Sequence, residues 1–328
     1  METWVTNSDP YGQMLEGKKI LITGGTGTLG KAVLTRARRN SWGAEFVIFS
    51  RDETKQSILR QMFPEHQYVL GDITRYNDLK RAMRGVDIVM HFAAYKQVPS
   101  AQNNIAATIE TNIYGSQQVV EAAIDMGVSQ VVTTSTDKAT SPENAYGVGK
   151  KMVEYVFQDA NKYGATKFHI TRYGNVLASN QSVAVLWEHQ AKAGGPITIT
   201  DRRMTRFFLS IDEAINQVLM SLQSEPGVIL VPKAPSILMI DFAKEFAQDL
   251  AIVDIGLRPG EKIHEGMVSE AESFYTEDKG NFYLIHPPTS SFRNESAPFS
   301  YTSDKPSRFL SAKELLEMLD TTHALYGV

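Results

Sequence analysis

The sequence predicts an α/β chain built on a doubly wound parallel sheet, with a smaller C-terminal lobe. Short continuous apolar runs alternate with helical stretches through the first half. A glycine cluster stands between the first run and the first helix. After about Arg172 the alternation breaks, and Gly and Pro punctuate shorter segments. Strands that are apolar without alternation belong to a parallel sheet covered on both faces, and right-handed crossovers leave few other topologies.

Each element has its own reason. Residues 1–16 carry Thr, Asn, Ser, Asp, Pro and Gly without a period and read as a mobile extension available for subunit contacts. Lys19-Ile20-Leu21-Ile22-Thr23 is the first strand, and a helix is expected from about Gly27 to Asn40. Glu45-Phe46-Val47-Ile48-Phe49-Ser50, Tyr68-Val69-Leu70, Val86-Asp87-Ile88-Val89-Met90-His91 and Gln130-Val131-Val132-Thr133-Thr134 continue the strand series. Between the last two a single long helix is expected from about Ser100 to Met126. Residues 17–172 therefore read as one nucleotide-binding domain. Residues 173–328 read mainly as a substrate-binding lobe, interleaved with the last strands of the main sheet. Within it, Gly194-Gly195-Pro196, Pro232-Lys233-Ala234-Pro235 and Arg258-Pro259-Gly260 mark turns, residues 286–308 look irregular, and Ser311 to Leu319 reads as a closing helix.

Composition narrows the function. The chain has 328 residues, 42% hydrophobic and 21% charged, as expected of a globular enzyme. Its net charge of −4 lacks the broad positive field of a nucleic-acid binder. The absence of cysteine removes disulfides, thiolate metal sites and cysteine nucleophiles, and no metal site is expected. No secretory signal or membrane-spanning run is evident, so a cytoplasmic location is expected and the Asn180 and Asn294 sequons read as chance.

The first motif is Thr23-Gly24-Gly25-Thr26-Gly27-Thr28-Leu29-Gly30, placed between strand and helix. Gly24 permits a tight turn, Gly27 lets backbone approach a pyrophosphate, and Gly30 lets helix and strand pack closely. The helix N-terminus then offers free N–H groups to phosphate. The domain is thus of Rossmann type. The second strand ends in Ser50-Arg51, followed by Asp52-Glu53. A hydroxyl and a guanidinium suit a ribose 2′-phosphate, which favours NADP over NAD; Asp52 and Glu53 read as caps of the next helix. Asp72, after the third strand, reads either as an adenine contact or as a turn aspartate.

The second motif is Tyr146-Gly147-Val148-Gly149-Lys150. A spacing of four puts both side chains on one helix face. An ammonium beside a phenol stabilises phenolate and draws its pKa down from about 10 toward that of a general base. Alone, such a pair is more often a surface contact; behind a glycine cluster and a fifth Rossmann strand it points to catalysis.

With these motifs the chain resembles the extended short-chain dehydrogenase/reductases acting on nucleotide sugars, and among them the inverting UDP-N-acetylglucosamine 4,6-dehydratases. The resemblance covers roughly residues 16–285. It rests on Ser135-Thr136-Asp137-Lys138-Ala139, Lys96-Gln97-Val98-Pro99, Arg172-Tyr173-Gly174-Asn175-Val176, Arg203-Met204-Thr205-Arg206-Phe207 and Arg258-Pro259-Gly260-Glu261-Lys262-Ile263-His264-Glu265. Two positions depart from the family pattern. Asn180-Gln181 stands where Arg-Gly is common, and Gln102 where a glutamate often follows the Val-Pro run.

The resemblance implies that Tyr146 takes the proton of the sugar 4-hydroxyl while hydride passes to NADP⁺. Thr136 orients that hydroxyl and Lys150 holds the nicotinamide ribose. Lys138 removes the C5 proton, Asp137 protonates the leaving 6-hydroxyl, and hydride returns to C6. A lysine base must be neutral, so Lys138 is expected to have a lowered pKa and Asp137 to be protonated, as a coupled pair. Besides Tyr146 and Lys150, the implied cofactor contacts are Thr23, Gly24, Gly27, Thr28, Leu29, Gly30, Ser50, Arg51, Asp72, Ile73, Ala93, Ala94, Lys96 and Asn112. Substrate contacts are expected from Lys96, Asn175, Arg206, Arg258, Glu261 and Lys262, while His264-Glu265 reads as structural or substrate-orienting. A homo-oligomer, dimer or hexamer, is implied. A 4-epimerase or a decarboxylase of another nucleotide sugar would keep Tyr146 and Lys150 without needing Lys138. An NADP-sensing regulator on this fold would commonly lack the Tyr–Lys pair.

Overall fold

The computed structural model describes residue 9, residues 11–179 and residues 182–327. The first half contains β1 (Lys19–Thr23), α1 (Thr28–Arg39), β2 (Glu45–Ser50), α2 (Glu53–Met62), β3 (Gln67–Leu70), α3 (Tyr76–Ala82) and β4 (Ile88–His91). It continues through α4 (Val98–Asn103), α5 (Ile105–Thr108), a π-helical turn (Ile109–Tyr114), α6 (Gly115–Asp125), β5 (Gln130–Thr136), α7 (Ala145–Ala160) and β6 (Lys167–Tyr173). The second half adds β7 (Asn175–Val176), α8 (Val183–Lys192), β8 (Ile197–Ile199), β9 (Thr205–Leu209), α9 (Ile211–Leu222), β10 (Ile229–Pro232), β11 (Ser236–Leu238), α10 (Met239–Ala247) and β12 (Ile252–Asp254). It ends with β13 (Gly266–Val268), α11 (Glu270–Ser273), β14 (Thr276–Asp278), β15 (Phe282–Ile285), β16 (Tyr301–Thr302) and α12 (Ala312–Tyr326).

The main sheet has nine strands in the order β14-β15-β10-β6-β5-β4-β1-β2-β3. From β3 to β10 all neighbours are parallel; β15 and β14 join antiparallel at one edge. The order of winding reverses between β1 and β4, the switch point where such sheets open a crevice at their carboxyl ends. The strands are apolar on both sides because each face has its own core. Leu21, Val47, Val89 and Val131 face one core with α3, α6 and α7, whereas Ile20, Ile22, Ile48 and Met90 face the other with α1 and α9. A third core around Trp187, Phe208 and Phe242 belongs to the second half.

Several expectations change. The single helix from Ser100 to Met126 is interrupted. Asn104 leaves helical geometry (φ −135°, ψ 63°) and its amide bonds back to the Ser100 carbonyl, so α4 ends at Asn103. The following π turn carries Asn112. The segment expected as a mobile extension is anchored where it is described. Leu15 is buried in the core, and Asp9 accepts hydrogen bonds from Arg36, Asn40 and Trp42; residues 1–8 and 10 lie outside the described residues. The closing helix runs on to Tyr326, from a Ser311–Glu314 capping box to a left-handed Gly327. Among the described residues no helix is long and apolar enough to cross a membrane.

Candidate active site

A cleft of about 1220 Å³ opens over the carboxyl ends of β1, β2, β4 and β5. Its wall from the first half includes Gly24, Gly27, Thr28, Leu29, Gly30, Ser50, Arg51, Asp72, Ile73, Ala93, Ala94 and Lys96. The facing wall includes Asn175, Arg206, Arg258, Glu261 and Glu265. Thr136, Lys138, Tyr146 and Lys150 lie between them.

The glycine loop is shaped for close approach. Gly24 has φ +67°, and a Cβ there would stand 2.8 Å from the Ala93 nitrogen. A Cβ on Gly30 would stand 2.5 Å from the Gly25 carbonyl oxygen, so helix and turn could not meet. Gly27, the N-cap of α1, supplies no side-chain cap. The first-turn N–H groups of α1 therefore suit a pyrophosphate, favoured by the helix dipole. Thr23 does not line the cleft. Its hydroxyl lies 2.7 Å from His91 Nδ1 and accepts from the Ala93 N–H, so it supports the loop from beneath.

At the far end, Gln56 donates to the Ser50 hydroxyl and carbonyl. Asp52 caps α2 by accepting from the Lys55 N–H at 2.9 Å. Arg51 is largely exposed and pairs at 3.8 Å with Asp72. Asp72 Oδ1 accepts from the Thr74 N–H and hydroxyl, a turn role, while the residue still lines the cleft.

The turn Asp137–Ala139 follows β5. Thr136 remains extended, and its hydroxyl donates to Asp137 Oδ1 at 2.8 Å and accepts from the Lys138 N–H at 3.4 Å. Lys138 Nζ lies 3.0 Å from Asp137 Oδ1 and 3.5 Å from Glu265 Oε1. Asn144 caps α7 through the Gly147 N–H at 2.9 Å and donates to the Gly260 carbonyl. A Cβ on Gly147 would stand 2.2 Å from the Lys138 carbonyl oxygen, so glycine lets α7 begin against that turn. The helix then places Tyr146 and Lys150 one turn apart on the cleft.

The electrostatics depart from the sequence expectation at two residues. Burial favours a neutral Lys138, but the Asp137 and Glu265 carboxylates outweigh it and hold the ammonium above its ordinary range, against the charge of Arg206. Burial pushes the Tyr146 phenol up to about 12, opposed by the Lys138 charge and the Thr136 hydroxyl. The positive charge that acts on Tyr146 is thus Lys138 rather than the expected Lys150. Burial lowers Lys150 to about 8, with Glu154 opposing.

Beneath the turn lies a network the sequence reading did not assign. Arg172 is fully buried and bonds Glu154, Glu272, the Thr140 hydroxyl and the Met267 carbonyl. Lys151 pairs with both carboxylates, and the Ser135 hydroxyl donates to Glu154 at 2.6 Å. Two acids and two bases are thereby matched. The network touches both ends of the Asp137–Ala139 turn, helix α7 and the strand after Glu265. Charged groups this deep with no isolated partner are the signal that could have shown it, but only once the fold joins them.

Two other expected contacts do not line the cleft. Asn112 brackets Tyr95, accepting from its N–H at 2.6 Å and donating to its carbonyl at 3.0 Å, and so positions the loop after β4. Lys262 is drawn away to the Thr140 carbonyl at 2.6 Å. Arg206 does line the cleft, but its guanidinium is spent on the Thr205, Lys262 and Ile263 carbonyls. His264 bonds the Thr205 hydroxyl, a structural role, while Glu265 faces Lys138.

Residues 20–287 match the family described as polysaccharide biosynthesis protein. The chain belongs to this family. It is 38% identical to a Campylobacter jejuni protein named UDP-N-acetylglucosamine 4,6-dehydratase (inverting), over 94% of this chain and 99% of that one. It is 40% identical to a Rickettsia bellii protein named UDP-glucose 4-epimerase, over 83% and 84% of the two chains. Its fold also matches the X-ray structure of Pen from Bacillus thuringiensis, with a TM-score of 0.87 and 31% identity over 94% of this chain and 98% of that one. Of the two departures from the family pattern, Gln102 lines the cleft and accepts from the Ala145 N–H at the start of α7. Asn180-Gln181 lies outside the described residues.

Proposed function

We propose that this chain is a C5-inverting UDP-N-acetylglucosamine 4,6-dehydratase, a lyase that retains NADP and forms a UDP-4-keto-6-deoxy-hexosamine. The observation that carries this reading is that Thr136 and Lys138 line one cleft with Tyr146 and Lys150, while Asp137 is buried behind them against the Lys138 ammonium. A 4-epimerase has no use for a buried acid–amine pair beside the tyrosine. The dehydratase-named relatives, matched along 99% of their length, support the same choice.

The glycine loop and the uncapped α1 N-terminus fit a dinucleotide pyrophosphate. Ser50 and Arg51 would hold a 2′-phosphate, with Arg51 only loosely committed to Asp72. When bound, the nicotinamide supplies the acceptor and donor of hydride. The chain's own residues do the rest. Tyr146 takes the 4-hydroxyl proton, assisted by Thr136 and by positive charge near the phenol. The 4-ketone acidifies C5–H, which Lys138 removes, and Asp137 protonates the departing 6-hydroxyl. Asn175, Arg206, Arg258 and Glu261 would face the nucleotide sugar from the second-half lobe.

Incubation with UDP-N-acetylglucosamine in deuterated water tests the reading. The expected product has lost one water and carries deuterium at C5. A 4-epimer with no loss of water would instead establish the reading suggested by the Rickettsia relatives. Identification of the nicotinamide released on denaturation distinguishes NADP from NAD.

A further inference from the structure

Two buried carboxylate oxygens beside Lys138, Asp137 Oδ2 and Glu265 Oε2, have no hydrogen-bond partner among the described residues. Both residues are nearly inaccessible, and their other oxygens share the one Lys138 ammonium. Arg206, itself paired at 3.7 Å with Glu261, is the next positive charge, and Tyr146 is the neighbouring phenol. A buried anionic oxygen without a donor is costly, and a proton is the smallest group that relieves it.

The two carboxylates are not equivalent. Asp137 Oδ1 already accepts from both the Thr136 hydroxyl and Lys138. Among the described residues, the Glu265 carboxylate pairs with Lys138 alone. Its backbone is clamped to Ser303, which meets its N–H at 2.9 Å and donates to its carbonyl at 2.8 Å. The backbone thus fixes the Glu265 carboxylate 3.5 Å from the amine, as an ion pair, while the ammonium's hydrogen bond goes to Asp137.

We propose that Glu265 is the proton partner of Lys138, taking up the ammonium proton so that the free amine can accept the C5 proton of the sugar. The inference rests on the dehydratase reading. One Nζ–H bond breaks and one Oε–H bond forms, leaving a neutral amine and a neutral acid. The amine then takes the C5 proton, and the electron pair of the broken C–H bond moves onto the C4 carbonyl oxygen. Lys138 then releases the proton taken from C5 to solvent water, and Glu265 returns the one it holds to the amine, which restores the ammonium–carboxylate pair. Glu265 acts through Lys138 and leaves Asp137 to protonate the 6-hydroxyl.

The test uses the full chain with its retained nicotinamide and UDP-N-acetylglucosamine in deuterated water. In Glu265→Gln, C5 exchange and dehydration at neutral pH are expected to fall about 10²-fold or more. Oxidation at C4, read as reduced-nicotinamide absorbance in a single turnover, is retained. The residual exchange should climb with pH, because solvent must then take the Lys138 proton, and Glu265→Asp should recover part of the loss. Infrared difference spectra of the wild type on substrate addition should show a new protonated carboxyl group, a readout independent of any variant's folding. Wild-type exchange in Glu265→Gln, a uniform loss without a changed pH profile, or no new carboxyl band overturns the proposal. Absence of both water loss and C5 deuterium in the wild type removes the dehydratase reading itself.

Discussion

Lys150 shows how much one buried ammonium decides. Its pKa, pushed down by burial to about 8, leaves it charged only below that pH. If the ammonium holds the nicotinamide ribose, kcat/KM falls as pH rises through about 8, and Lys150→Arg moves that limb upward because guanidinium stays charged. A lowered lysine pKa has the opposite sign for stability: the cost of burying the charge is full below about 8 and relaxes between there and the ordinary value of 10.5. Lys138→Ala should abolish water loss while the nicotinamide stays bound, checked by product analysis and cofactor release. Tyr146→Phe should lower turnover by orders of magnitude, each ~1.4 kcal/mol of barrier being tenfold. That Tyr146 and Lys150 would stand on one face of α7 was legible because their spacing is local. The charge on Lys138 was not, since one of the carboxylates that sets it, Glu265, arrives from a distant segment.

Elements are joined through contacts that admit no added bulk. Gly147→Ala would drive a Cβ into the Lys138 carbonyl, so α7 must retreat from the turn. The expected outcome is a loss of about 1–3 kcal/mol in a thermal melt and a fall of about 10²-fold in turnover from displaced groups. Arg172→Leu leaves Glu154 and Glu272 sharing only Lys151, which should cost on the order of 3–5 kcal/mol by denaturant titration. Arg172→Lys should recover only part, because a point charge cannot replace the fork. Five of the six strands of the first half, β1 to β5, were readable as continuous apolar runs. The π turn was not, because its extra residue serves the bond between Asn112 and Tyr95, which no periodicity announces.

For the whole molecule, the buried imidazoles set the response to acid. Burial pushes His91 down to about 3, with Lys150 adding to the effect, and His169 down to about 4. Both stay neutral in the folded chain while the unfolded chain protonates, so stability falls from about pH 6.5 toward those values. The slope is roughly 1.4 kcal/mol per pH unit for each ring, measurable by denaturation across that range. The second-half core was less legible than the sheet, because Trp187, Phe208, Phe242 and Leu315 come from short segments with no shared period. Helix α12 bridges the units, with Leu315 and Leu319 in the third core and Tyr326 against the α1–α9 side of the sheet.

Arg36 on α1 grips Asp9 with one nitrogen and Asp212 with another, and Tyr326 donates to that same Asp212. Residues 9 and 326 are therefore fastened at one knot. Peeling from either side loosens the other, so amide hydrogens around residues 11–16 and those of the last turn of α12 should exchange with solvent in step, as a single cooperative opening.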